Sequence, residues 1–150
     1  MEIVKDINAL HVPVNPTPKG AYITDVYEIM MKELAFHSNA AAIAANQLVM
    51  ELPVVLPRAF VMKMDTLTNI FIVNPVITKA VGEATDREGC LSLPGMIYRV
   101  KRPKKVVVQG FDENWKPVRY RFHDFAARIV CHEVDHLNGK LIADIGERCA

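Results

Sequence analysis

The chain has 150 residues and a mass of 16.8 kDa, the usual size of one domain, and its 51% of apolar residues are enough for a core of its own. Eighteen Lys and Arg against seventeen Asp and Glu leave a formal charge of +1, which excludes a strong overall field drawing the protein onto nucleic acid or an acidic membrane. Three cysteines, Cys90, Cys131 and Cys149, are odd in number, widely spaced and without a C-x-x-C pair, which argues against a disulfide framework and for reduced thiols in a cytoplasm.

The N-terminal stretch "MEIVKDINALHVPVNP" has no basic lead followed by an apolar run, and no apolar run anywhere approaches the roughly 18 residues of a spanning helix, so an unexported chain that does not enter a membrane is expected. The Pro-rich segment "HVPVNPTPKG" (11–20) reads as extended and wrapped over the surface. From 21 to 37 the residues Ile23, Val26, Met30 and Leu34 fall at helical spacing, with Thr24 and Asp25 in the first turn, and predict an N-terminal helix. The region from Pro53 to Phe122 is rich in Val, Ile and Phe and is cut repeatedly by Pro and Gly, a pattern of several short strands. Its clearest pair is "KKVVVQGF" (104–111) and "KPVRYRFH" (116–123), a hairpin around the turn "DENW". The last helix is expected over 125–137, with Asp124 as its cap and Gly139 just past its end. No internal repeat or linker divides the chain, so residues 1–150 are expected to form a single domain.

Within "CHEVDHLNG" (131–139), His132, Glu133 and His136 have the spacing H-E-x-x-H. With five His in the chain the pattern arises in about one shuffled sequence in a hundred, so context must support it. On a helix, Phe125, Ile129, His132, Glu133 and His136 share one face, which would turn toward the sheet. Two neutral imidazoles one turn apart can bind one cation, and the carboxylate between them can take a proton from water that the cation activates. A third ligand is then needed. The long protease pattern H-E-x-x-H-x-x-G-x-x-H would end at Ile142, which cannot ligate, and too few residues follow His136 for a glutamate on a further helix. Upstream, Cys90 in "REGCLSLPG" stands out, since a thiolate is a strong ligand and this one sits in a Gly- and Pro-flanked turn. A buried structural thiol is the equal alternative. Cys131, next to His132, points about 100° away and reads as core.

Three separated segments together resemble the peptide deformylases. "EGCLS" (88–92) and "HEVDHLNG" (132–139) look like the second and third signature motifs of that family, and "AAAIAANQ" (40–47) is similar to the first, G-x-G-x-A-A-x-Q. "VNP" (73–75) and "VKRPKKVVV" (100–108) extend the likeness over nearly the whole chain. The resemblance implies removal of the N-terminal formyl group from formyl-methionyl nascent peptides, with release of formate. It implies a single catalytic domain over 1–150 of α+β class, with three short antiparallel sheets packed around the C-terminal H-E-x-x-H helix and the other helix near the N-terminus. It also implies Cys90, His132 and His136 as metal ligands, Glu133 as general base and acid, and Gln47 with the Leu91 N–H as the oxyanion hole. Ala41, Ala42, Phe125 and Ile129 fall near the substrate pocket by the same likeness, although core packing explains each as well. Glu88 and Arg102 would form an ion pair behind the Cys90 turn. One divalent ion is implied, Fe(II), with Zn(II), Ni(II) or Co(II) fitting the same donors.

The chain departs from the family at Ala40 and Ala42, which replace two motif glycines and add methyls beside the substrate groove, and at Cys131, where Gln is common. It also resembles a short form without a C-terminal helix. The partners expected are formylated nascent chains at the ribosome, in the cytoplasm of a bacterium or of a virus-infected bacterial host, with no direct nucleic acid or membrane contact. A zinc peptidase using the same helix, and a catalytically weak binder of formylated N-termini, are the competing readings.

Overall fold

The computed structural model describes residues 2–50, 55–64 and 68–150. Pro53, the start of the strand-rich region, lies outside them. In chain order the elements are α1 (Ile7–Leu10), α2 (Thr24–Phe36), β1 (Ala42–Ala44), a single 3-10 turn (Ala45–Gln47), β2 (Ala59–Lys63), β3 (Asn69–Val81), β4 (Ala84–Cys90), β5 (Leu93–Arg102), β6 (Lys105–Phe111), β7 (Pro117–His123), α3 (Asp124–Leu137), α4 (Ile142–Ile145) and β8 (Glu147–Arg148). All pairings are antiparallel, and the class is α+β.

Among the described residues the strands make two sheets, ordered β1-β2-β3-β6-β7 and β4-β5-β8, where three were expected. The reason is β3. Its 13 residues pair with β2 at one end and β6 at the other, joining what would be two sheets into one. Pro75 lacks the N–H that a central ladder uses, and the register slips there, between Val73 and Val76. At the slip Asn74 takes a φ of 51°, and its side chain accepts from Thr17 N at 2.8 Å and donates to Thr17 O at 2.9 Å. A bulge in the strand thus pins the extended N-terminal segment.

The two long helices cover opposite faces of the larger sheet. Ile23, Val26, Met30 and Leu34 of α2 pack with Ile43, Ala59, Val61, Phe71 and Val73. Ala127, Val130, Cys131, Val134 and Leu137 of α3 pack with Ala44, Phe60, Met62, Ile72, Val106, Val108 and Phe122. Because both faces are covered at this end, β2 reads as the unbroken apolar run "AFVM" instead of alternating. Truncating a fully buried member of either layer, such as Leu34 or Leu137, to Ala would cost about 2–5 kcal/mol.

The α2 helix and the β6–β7 hairpin lie where sequence periodicity puts them. The start of α3 differs in one respect: Asp124 is its first residue, at φ 55°, and does not cap it. The Asp124 N–H is drawn instead to Lys104 O at 2.7 Å across a tight corner out of β7, which leaves the N-cap position to His123. The other end of α3 follows the expectation. Gly139 has φ 74°, and a Cβ there would collide with the backbone of His11. Arg58 donates to Val14 O at 3.0 Å, Leu137 O at 2.8 Å and Asn138 Oδ1 at 2.7 Å, so the N-terminal segment and the residue just before β2 together close the helix end. α3 is not the last helix, because the one-turn α4 follows it.

Candidate metal centre

Three elements converge on one point. The helix α3 turns His132, Glu133 and His136 inward, with Glu133 and His136 buried and His132 nearly so. β4 ends at Cys90, and a two-residue turn at Leu91 and Ser92 leads into β5, where Cys90 pairs with Leu93. On β5 the segment 94–97 bulges out of register, with Gly95 at φ 75° supplying the left-handed residue that the bend requires. The 3-10 turn after β1 delivers Gln47, held by the Ala44 N–H donating to its Oε1 at 3.0 Å.

The Cys90 sulfur lies 3.3 Å from His136 Nε2, which lies 3.2 Å from His132 Nε2, and all three donor atoms fall within 4.8 Å of one another. A tetrahedral cation with ordinary Zn–N and Zn–S bonds needs nitrogens about 3.4 Å apart and sulfur about 3.6 Å from nitrogen. The three donors therefore fit one ion. Sequence spacing left Cys90 undecided between ligand and core, and the fold brings it to the two rings. Cys131, by contrast, is buried in the core, and burial pushes its thiol pKa up to about 11.

Behind the donors lies a buried ionic network. Glu88 accepts from His132 Nδ1 at 2.8 Å, from Arg102 Nε and Nη2 at 3.0 Å each, and from Arg128 Nη1 at 2.7 Å. The bond to Nδ1 leaves the Nε2 lone pair of His132 free to face the donor cluster. Arg102 also binds Asp135, and Arg128 also donates to Val100 O at 2.8 Å and Ala84 O at 2.9 Å. Burial alone would raise the Glu88 pKa, but the bonds from His132 and Arg102 hold it down to about 2. Burial would likewise lower His132, but Cys90 and Glu88 push it up to about 10, while burial and the neighbouring His132 drive His136 well below its usual value. In the metal-free chain Cys90 and Glu88 thus favour a proton on His132. A cation can replace that proton with both rings neutral.

Glu133 is 4% exposed, and burial raises its pKa to about 7 against the pull of His132. Its Oε1 is buried and has no hydrogen-bond partner among the described residues. Gln47 Nε2 lies 3.4 Å from Cys90 Sγ and 3.3 Å from Ser92 Oγ. Gln47, Cys90, His132 and Glu133 line a cleft of about 490 Å³ whose walls include Ala41, Ala42, Leu91, Phe125 and Ile129. Phe125 is 69% exposed, which excludes core packing of its two readings: it stands on the rim of the cleft at the first turn of α3. Ala40 and Ala42 are absent from the positive-φ residues, so the backbone does not need the glycines they replace, and both methyls line the cleft.

Sequence reasoning missed Arg128, Asp135, Asn46 and Ser92. Arg128 precedes His132 by one helical turn, a position from which a cation on the inward face signals a buried partner. Asn46 Nδ2 donates to His136 O at 2.7 Å and fixes the ligand helix to the loop that carries Gln47.

The sequence profile described as polypeptide deformylase matches residues 3–149. The peptide deformylase 2 of Clostridium acetobutylicum is 37% identical over 125 residues, which cover 82% of this chain and 78% of that protein. The peptide deformylase of Rhodopirellula baltica is 41% identical over 122 residues, 78% of this chain but 58% of that longer protein. Among solved structures, the deformylase of the Vibrio parahaemolyticus bacteriophage VP16T, crystallised with actinonin, superposes with a TM-score of 0.83 at 33% identity, covering 94% of this chain and 99% of that one.

Proposed function

We propose how this chain works from one premise: it belongs to the peptide deformylase family and removes the N-terminal formyl group from nascent peptides. Residues 1–150 act as one catalytic unit, with the H-E-x-x-H helix α3 as the element on which the site is built. Cys90, His132 and His136 hold one divalent cation, and a set of one thiolate and two imidazoles suits Fe(II), Zn(II), Ni(II) or Co(II). We assign Fe(II) as the native ion from the family resemblance. Bound there, the cation supplies Lewis acidity and water of lowered pKa.

Glu133, with its pKa raised to about 7, takes the proton from the attacking water and returns it to the departing amine. The Gln47 amide has its oxygen tied to Ala44, which orients its Nε2 to donate, together with the Leu91 N–H, to the oxygen on which negative charge develops. Ala41, Ala42, Phe125 and Ile129 wall the cleft around an unbranched methionine side chain. Glu88 fixes the ring of His132, and Arg102 fixes Glu88. The substrates are formyl-methionyl chains at the ribosome, in the cytoplasm of a bacterium or of a virus-infected bacterial host, where three free thiols remain reduced.

The observation that carries this reading is the meeting of three potential ligand atoms within 4.8 Å beside a buried glutamate whose Oε1 has no hydrogen-bond partner among the described residues. The test is an assay of formyl-Met-Ala-Ser with anaerobically prepared protein, combined with metal analysis. Formate release without internal peptide cleavage, at one ion per chain, is expected. Cleavage of internal bonds, or formate release unaffected by metal removal, would reject it.

A further inference from the structure

The near-neutral total charge conceals a segregated one. The side of the larger sheet that α2 covers at the β1–β2 end carries exposed basic side chains at the β6–β7 end. There the pairings place Gln109 beside Arg119, Val107 between Lys79 and Arg121, and Lys105 between Val81 and His123. Lys79, Lys105, Arg119, Arg121 and His123 are all exposed, and they ring a shallow groove of about 520 Å³. Val107 in its floor is 8% exposed. Among the described residues, no ion pair joins any of the two lysines and two arginines to a carboxylate. The one acidic contact is at the rim, where Asp124 lies 3.6 Å from His123 Nδ1.

Four formal positive charges thus share a few square turns of sheet in a chain whose total is +1. In the register Arg119 stands opposite Gln109, and Lys79 and Arg121 both stand opposite Val107, so the cations crowd one face without direct cross-strand repulsion. Alternate residues of one strand stand about 6.8 Å apart on one face, which turns Arg119, Arg121 and His123 into a regular row. Arginines in a row above an apolar floor, with no carboxylates interspersed, match the phosphates of a nucleic acid backbone, which arginine can bind bidentately. They do not match a mixed-charge protein surface.

We propose that this face docks structured RNA through its phosphate backbone, without reading base sequence. It lies on a different part of the molecule from the metal centre and would hold the enzyme beside the RNA-rich particle that presents nascent chains; that last step rests on the deformylase reading.

The test is fluorescence anisotropy of a short labelled RNA hairpin titrated with the metal-loaded enzyme at several salt concentrations. Four phosphate contacts predict a log–log salt slope near −3.6, so a fourfold rise in salt weakens binding on the order of 10²-fold. Arg119→Gln/Arg121→Gln, and independently Lys79→Gln/Lys105→Gln, should each weaken binding at least about tenfold and lower the slope by about 2, while a Lys5→Gln/Lys140→Gln control outside the groove leaves both unchanged. Deformylation of formyl-Met-Ala-Ser should be the same in every variant, so failure of the RNA assignment and failure of the enzymatic one are read separately. Absence of RNA binding, a flat salt dependence, groove variants that bind like the parent, or binding to phosphatidylserine/phosphatidylcholine vesicles but not to RNA would overturn the proposal.

Discussion

The ring of His132 is held from behind by Glu88, whose Oε1 stands 2.8 Å from Nδ1, so a residue two positions before Cys90 orients a donor on a helix more than forty residues later. The same carboxylate meets Arg102 and Arg128, so the turn that carries the thiol and the helix that carries the imidazoles are fixed to each other through one side chain.

Glu88→Gln should therefore weaken metal retention about 10- to 100-fold while leaving all three ligands in place. Competition with a chelator measures it. Unchanged metal affinity would remove Glu88 from the site.

The depressed pKa of Glu88 has a signed consequence for the metal-free chain. Its folded value of about 2 lies below its ordinary 4.5, so its stabilising contribution is complete above pH 4.5 and is lost as pH falls through 2. Denaturant unfolding of the metal-free protein should show an acid limb in that window on the order of 3 kcal/mol deep. The limb should be largely absent in Glu88→Gln, and two parallel pH curves would contradict the assignment.

Glu133→Gln removes the proposed proton acceptor but keeps its volume and leaves Cys90, His132 and His136 in place. A fall in kcat of about 10²- to 10⁴-fold is expected with one ion per chain retained. Turnover and metal content measured on the same sample decide it, and a variant as fast as the parent would mean that another group moves the proton.

Phe125 stands on the cleft rim at 69% exposure, so Phe125→Ala should change folding stability by no more than about 0.5 kcal/mol. Its effect should fall on substrate instead, as a severalfold rise in KM for formyl-Met peptides. Thermal unfolding and steady-state kinetics separate the two, and a strongly destabilised variant with unaltered KM would return Phe125 to a core role.

Periodicity and turn chemistry made the local elements legible. The hairpin of β6 and β7 is written in alternating residues around a polar turn, and α2 in the spacing of Val26, Met30 and Leu34. What depends on distant partners was hidden. Nothing near Pro75 announces that one strand runs through it, because the continuity comes from β2 and β6 pairing on either side. Asp124 has the composition of a helix cap, but the carbonyl of Lys104 claims its backbone. The candidate ligand trio was legible only as two histidines and a possible thiol, since a separation of 46 positions between Cys90 and His136 says nothing about proximity. Arg128 was invisible for the same reason: its partners Ala84, Glu88 and Val100 belong to another sheet.

The clamping of His11 to Val14 under the end of α3 ties a segment outside the cleft to the helix that carries His136. Val14 N meets Leu137 O at 2.9 Å, and Gly139 leaves no room between the helix end and His11. A protease nick in that stretch, or a bulky fusion that lifts it away, would free the last turn of α3 and with it His136. The enzyme would lose its ion and fall silent with every active-site residue still present.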